Sequence, residues 1–239
     1  MIELRRPPGE FARVGHRGAS ALAPENTLRA LELAVELGCD MLEFDVLARR
    51  DGVVVLAHEA ARITPTSPTL DDTFAFCAKR LPGIGLQVDL KRRGIERRVV
   101  DALYRHDVLD RAWVSGFDAR ALRRVSELEP ELPRSYTLPR DRFNISKRAP
   151  VAPVVRAALA SIGASLPRRL PVLLARARAA AATLHHSIAS AAAIARAHEL
   201  GAAVYVWTVD DANLAERFVR DGADGIITND PRIFVTLRT

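Results

Sequence analysis

Along the chain, short apolar or β-branched runs alternate with longer stretches whose apolar residues recur every three or four positions, and Gly, Pro and Asp punctuate the joins. The short runs read as strands at Arg13–His16, Met41–Val46, Gly85–Lys91, Ala112–Gly116, Pro133–Leu138, Thr183–His186, Ala203–Thr208 and Asp224–Thr228. Helical periodicity covers Leu28–Leu37, Ile95–His106, Ala119–Glu129, Ser190–Leu200 and Asn213–Arg220, with a last short helix after Pro231. Strand and helix in repeated alternation predict an α/β protein, and eight strands favour a closed (β/α)8 TIM barrel over an open doubly wound sheet. One run breaks the alternation: Val53–His58 follows an Asp51-Gly52 turn and predicts a very short, hairpin-like excursion after the second strand. The Ala- and Arg-rich region Pro150–Ala182 is cut by Pro153, Pro167 and Pro171 and reads as several helical pieces covering the barrel. Arg168, Arg169, Arg176 and Arg178 also permit a basic amphipathic face, so peripheral membrane contact is allowed but not required.

Composition narrows this picture. The chain has 239 residues, enough for one barrel-sized domain over 1–239, and no repeat or low-complexity linker suggests a second. With 49% hydrophobic and 27% charged residues it is neither a disordered tail nor a membrane channel. The formal charge is +6, but acidic and basic residues are interleaved, and only three of the 35 basic residues are Lys. Such a skew reads as base-composition bias. No basic stripe with interleaved aromatics occurs, which argues against a nucleic-acid partner. Cys39 and Cys77 are too few for a disulfide framework and lack metal-ligand spacing, so both read as buried thiols. Met1–Arg13 carries charges and two prolines where a signal peptide needs an apolar run, which makes the cytoplasm the expected location. Oligomeric state is not set by these features.

The candidate chemistry lies at strand ends. In Met41-Leu42-Glu43-Phe44-Asp45-Val46, period two puts Glu43 and Asp45 on one face and three apolar residues on the other. The apolar face should meet the helices, leaving two carboxylates inside the barrel, where a cation or a strong donor set must neutralise them. The alternative is an Arg-paired structural cluster. In Leu86–Lys91 the same alternation places Gln87, Asp89 and Lys91 on the polar side. Glu43, Asp45 and Asp89 form an all-oxygen set suited to a hard divalent ion; the alternative is an Asp89 and Lys91 pair that simply neutralise each other. His16 and His58 each close an apolar run and open a loop. A lone His there is more often structural, but two at the mouth of a carboxylate-lined barrel make a natural acid and base pair. Arg17, between Gly15 and Gly18, suits a forked contact with phosphate oxygens. Asn26 reads as a helix cap, only one of His185 and His186 can face the barrel, and Tyr136 fits either the mouth or the core.

Several strings taken together resemble the glycerophosphodiester phosphodiesterases, of the phospholipase-C-like phosphodiesterase superfamily. They are Gly15-His16-Arg17-Gly18, Pro24-Glu25-Asn26-Thr27, Glu43-Phe44-Asp45-Val46, the Asp51-Gly52 turn and Val54–His58. Further on, Asp89-Leu90-Lys91 is similar to the family's Glu-x-Lys strand and Ser115-Gly116-Phe117-Asp118 to its Ser-Phe-Asp turn. Val206–Val209 and Gly222–Pro231 match its closing segments. The resemblance implies a TIM barrel that hydrolyses small-molecule glycerophosphodiesters to sn-glycerol 3-phosphate and an alcohol with one divalent cation, Mg2+ or Ca2+. It implies Glu43, Asp45 and Asp89 as metal ligands, His16 and His58 as catalytic acid and base, and Arg17, Lys91 and Trp207 as substrate-binding residues. A cyclic phosphate formed by the glycerol 2-hydroxyl is the family's usual intermediate. Three features depart from the pattern: Glu59 stands where Asp is usual, Asp89 stands for Glu, and Glu59–Thr69 is a short excursion that predicts an open mouth. A lysophospholipase D-type phosphodiesterase and a non-catalytic phosphate-ester or membrane-binding descendant are the alternative readings.

Overall fold

A computed structural model of the chain describes residues 1–139, 152–235 and 237. Among these residues nine strands form: β1 (Ala12–His16), β2 (Met41–Ala48), β3 (Val54–Leu56), β4 (Gly85–Leu90), β5 (Ala112–Gly116), β6 (Arg134–Leu138), β7 (Ala181–His185), β8 (Ala203–Trp207) and β9 (Gly225–Thr228). Between them run α1 (Leu28–Glu36), α2 (Leu70–Arg80), α3 (Glu96–Arg105), α4 (Ala119–Leu128), α5 (Ala152–Ala177), α6 (Ala191–Glu199) and α7 (Ala212–Arg220). Strand β1 pairs in parallel with both β2 and β9, so the parallel strands close into the expected (β/α)8 barrel. Strand β3 lies outside this ring, antiparallel to β2 with Val46 opposite Leu56. The excursion is as short as the sequence predicts: β3, one 3-10 turn at Ala60–Arg62, and a return to Thr69 beside Val55.

Alternation along the strands builds two cores. Leu42, Phe44 and Val46 of β2 and Leu86, Val88 and Leu90 of β4 face outward into the shell packed by the helices. Inside the barrel, Leu4, Val14, Met41, Trp113, Tyr205 and Ile227 form a separate apolar plug, with the Trp113 and Tyr205 rings 4.7 Å apart. The N-terminal segment seals the plug from below: the Tyr205 hydroxyl donates to the Leu4 carbonyl at 3.1 Å, and Arg6 N donates to Asp224 at 2.9 Å. Gly225 makes room for that tyrosine, since a Cβ there would stand 2.3 Å from its ring. With the lower end filled, the polar cavity opens at the C-terminal ends of the strands, where barrels of this kind place their sites.

Three expectations need correction. The prolines do not cut the 150–182 region into pieces: α5 is one helix containing Pro167 and Pro171. Each proline lacks an N–H, but Leu166, Leu170, Leu174 and Ala177 bury a single stripe against the barrel, and that packing overrides the local break. The helix therefore covers the barrel, with Arg168, Arg169, Arg176 and Arg178 exposed on its outer side and at its end; Pro150 lies outside the described residues. Helix α2 has no counterpart in the periodicity reading, because its buried face of Leu70, Thr73, Phe74 and Cys77 mixes apolar and polar residues. Its local signal is the cap, where Thr69 accepts from Asp72 N. Finally, the cap of α1 is Thr27, which accepts from Ala30 N, and not Asn26. Among the described residues no helix is long and apolar enough to cross a membrane.

Candidate active site

Seven of the eight residues singled out from sequence line one cavity of about 50 Å3: His16, Arg17, Glu43, His58, Asp89, Lys91 and Trp207. The eighth, Asp45, is fully buried behind them. Strand register explains the gathering. Glu43 pairs across β2 and β4 with Gln87, and Asp45 with Asp89, while His16 on β1 stands level with Glu43. One oxygen from each of Glu43, Asp45 and Asp89 lies within 4.8 Å of the others. The shorter side chain at Asp89 thus still reaches the cluster.

These carboxylates are held by cations and amides. Arg17 Nε lies 3.0 Å from Asp45 and its Nη1 reaches Glu25 at 2.6 Å, while its backbone N–H donates to Glu43 at 3.0 Å. That last contact needs a left-handed Arg17, φ 57°, which Gly18 beside it helps by letting the loop run against α1. Lys91 Nζ contacts Asp45 and sits 2.7 Å from Asp89. Asn26, buried and also left-handed, grips Asp45 twice, donating from Nδ2 to Oδ2 at 2.9 Å and accepting from the Asp45 backbone N–H at 3.0 Å. Ser115 donates to Asp89 Oδ1 at 2.6 Å and accepts from Gln87 Nε2 at 3.0 Å.

Electrostatics follows from this inventory. Burial would raise the Asp45 carboxyl, but Lys91 and Arg17 outweigh it and hold it well below the usual carboxylate range. Burial also works against the Lys91 ammonium, yet Asp45, Asp89 and Glu43 raise it. Glu43 is left without a full counter-charge, and burial followed by the neighbouring Asp45 raises its carboxyl well above the normal range. Three carboxylates against Arg17 and Lys91 leave one negative charge uncompensated. A divalent cation would turn that balance to one positive charge, which a single phosphodiester anion cancels. The all-oxygen donor set, its burial and this balance fit a hard divalent ion.

His16 is fixed by a chain of polarity. Asp210 can only accept, so the Asn229 amide turns its Nδ2 toward it at 2.6 Å. Asn229 Oδ1 is then the atom 2.7 Å from His16 Nδ1, which must carry the proton. The neutral ring therefore presents its lone pair at Nε2, 3.9 Å from Glu43. Burial, with Arg17 nearby, lowers this histidine to about 4, so it is neutral near pH 7. His58 is half-buried, with Nδ1 3.5 Å from Glu59, and burial lowers it too. The Trp207 ring stands edge-on between Phe117, 5.8 Å away, and His185, 5.1 Å away. His185 and His186 stack at 4.1 Å beside it, so both rings stay at the mouth, while Tyr136 packs with the outer shell.

Asn229, Asp210, Asn26 and Ser115 are site residues to which the sequence reading gave no such role. Asn26, Ser115 and Asn229 lie within the matched strings, which was the available signal; Asp210 lies just beyond one. Beside the cavity a second space of about 330 Å3 shares His58 and is lined by Glu25, Thr27, Arg62 and Thr66 among others. A larger cleft of about 450 Å3 lies at the opposite end, near Phe11, Asp40 and Gly85, and holds none of these groups.

Fold and site define an α/β barrel with a carboxylate-lined C-terminal mouth suited to a cation. The Glycerophosphoryl diester phosphodiesterase family model matches residues 16–83 and 68–233, and the chain belongs to that family. It is 24% identical over 258 residues to a glycerophosphodiester phosphodiesterase of Caldanaerobacter subterraneus subsp. tengcongensis, covering 94% of this chain and 96% of that one. Among solved structures, a glycerophosphodiester phosphodiesterase from Parabacteroides distasonis superposes with a TM-score of 0.74 at 23% identity, over 95% of this chain and 97% of that one. A phosphodiesterase from Oleispira antarctica, solved in complex with the product sn-glycerol-3-phosphate, gives 0.72 at 23% identity, over 95% and 96% of the two chains.

Proposed function

We propose that the chain is a metal-dependent glycerophosphodiesterase that releases sn-glycerol 3-phosphate and an alcohol, with residues 1–239 acting as one catalytic domain. The observation that carries this reading is the meeting of three buried carboxylates, two histidines and two cations around one cavity. Glu43, Asp45 and Asp89 would hold one cation, Mg2+ or Ca2+. When bound, it supplies Lewis acidity that lowers the pKa of a hydroxyl and offsets charge on the phosphate. Arg17 and Lys91 orient the phosphate oxygens, and Trp207 with Phe117 forms an apolar wall for the glycerol carbons. His16 Nε2, kept as a free base by Asn229, takes the proton of the attacking glycerol 2-hydroxyl; after the alcohol leaves, a water opens the cyclic phosphate and His16 returns its proton to the 2-oxygen. His58, at the edge of the 330 Å3 space, protonates the leaving alkoxide, and that space receives the departing alcohol. We place the reaction in the cytoplasm, where the free, buried thiols Cys39 and Cys77 would stay reduced.

The test is direct. Purified protein with Mg2+ or Ca2+ is incubated with glycerophosphocholine or glycerophosphoethanolamine, and sn-glycerol 3-phosphate is followed. Release is expected; no release with either diester and any divalent ion contradicts the reading and favours a non-catalytic binder.

A further inference from the structure

We propose that the space of about 330 Å3 beside His58 is a subsite for the leaving alcohol, and that Arg62 with the hydroxyls of Thr64, Thr66 and Ser67 makes it select an uncharged polyol over a cationic amino alcohol. This rests on the glycerophosphodiester reading and goes beyond it to the class of alcohol released. His58 lines both this space and the cavity that holds the carboxylates, so an alkoxide protonated by His58 has its carbon atoms on this side. The volume lies within the range of small-ligand pockets, about 300–1,000 Å3.

Charge decides against a cation. Among the described residues lining the space Glu25 is the one carboxylate, and it is already committed: Arg17 Nη1 reaches it at 2.6 Å and Arg62 Nη1 at 2.7 Å. Burial works to raise the Glu25 carboxyl, but the two guanidiniums outweigh it and lower it, so both ion pairs persist at neutral pH. No Phe, Tyr or Trp is among those residues, so a quaternary ammonium finds no aromatic face and meets the Arg62 charge instead. Hydroxyls suit the same walls. After the 3-10 turn at Ala60–Arg62 the chain runs Thr64-Pro65-Thr66-Ser67-Pro68, where the prolines restrict the backbone. Thr64 Oγ1 lies 3.1 Å from Thr66 Oγ1 and 3.3 Å from Ser67 Oγ, and Ser67 Oγ accepts from the Thr64 N–H at 3.0 Å. Two contacts among three hydroxyls use two protons and leave one, with lone pairs to spare. This edge both donates and accepts, as the hydroxyls of a polyol do, whereas a trimethylammonium group can do neither. Arg62 spends Nη1 on Glu25 and keeps further N–H groups to donate.

The experiment measures kcat/KM for sn-glycerol 3-phosphate release, with Mg2+ or Ca2+, from the glycerol, inositol, choline and ethanolamine diesters of glycerol 3-phosphate. Wild type is compared with Arg62→Gln and Thr66→Val, both at exposed positions outside the catalytic groups. The wild type is expected to prefer the glycerol or inositol diester over both amino alcohols by about 10-fold or more, as a few net hydrogen bonds supply. The glycerol and inositol arms show which polyol fits, and a preference for either upholds the class. Arg62→Gln keeps an amide donor without the charge, so it should raise kcat/KM for the choline and ethanolamine diesters by about 3-fold or more. Thr66→Val should lower kcat/KM for the favoured polyol diester by about 3-fold or more and leave the choline diester unchanged. Equal handling of all four by the wild type, a preference for the amino alcohols, or a preference unchanged in either variant overturns the subsite and leaves the hydrolytic reading standing. If no diester is turned over, the hydrolytic reading falls and calorimetric binding of the four diesters decides the subsite: tighter binding of a polyol diester upholds it, and equal binding or none overturns it.

Discussion

Two histidines in similar places along the strands meet different surroundings. His16 is buried, donates from Nδ1 to Asn229 and is lowered to about 4; His58 is half-exposed and leans toward Glu59. His16→Ala and His58→Ala should each reduce turnover about 100-fold or more, as for general acid and base groups, and near-normal steady-state rates in either variant would remove that residue from the mechanism. Because the His16 pKa lies below the ordinary 6.5, its base form persists as the pH falls past that value. The acid limb of kcat/KM should accordingly have its midpoint below pH 6.5; a midpoint at or above 6.5 that disappears in His16→Ala would contradict this environment. Asn229→Ala frees the ring to take the other tautomer. It should lower kcat by about 10-fold or more with little change in KM, whereas a KM effect alone would mean that Asn229 touches substrate instead. The carboxylates and histidines were legible as residues because period two and strand ends expose them in the sequence. Asn26 stood in a matched string, but its grip on Asp45 was not legible, since it depends on a left-handed backbone and on a partner nineteen positions away in the chain.

At the scale of elements, the strands were the easiest to read: β5 matches its expected bounds, and the other barrel strands differ by one or two residues at their ends. Alternation in β2 and β4 correctly assigned outward and inward faces, since a slip of one residue would bury the wrong set. One helix escaped and another was read as separate pieces: α2 has a mixed face, and α5 stays one helix because its buried leucine stripe outweighs the local break at Pro167 and Pro171. Leu170→Ala should therefore cost about 2–5 kcal/mol in denaturant unfolding, the usual range for a buried leucine. A loss near zero would mean that α5 does not cover the barrel. Gly225→Ala is expected to destabilise by about 1–3 kcal/mol, because Tyr205 fills the space its Cβ would need.

For the molecule as a whole, closure of eight parallel strands delivers side chains from β1, β2, β4 and the β3 loop to one mouth, and the apolar plug below leaves them nowhere else to meet. The site so formed is short of positive charge, and Glu43 carries the deficit. Its raised pKa means that the metal-free fold favours the protonated carboxyl, so the stability it contributes is present at low pH and lost as the pH rises through that raised value. Metal binding must displace that proton. Calorimetry in buffers of different ionisation enthalpy should show about one proton released per ion bound near or below that pKa, with affinity weakening as the pH falls. Everything proposed for the site turns on the cation, so the decisive measurement is sn-glycerol 3-phosphate release from glycerophosphocholine before chelation, after complete chelation, and after Mg2+ or Ca2+ is restored. Activity should vanish with the metal and return with it in the wild type but not in Glu43→Gln; release that survives complete chelation would contradict the assignment of Glu43, Asp45 and Asp89.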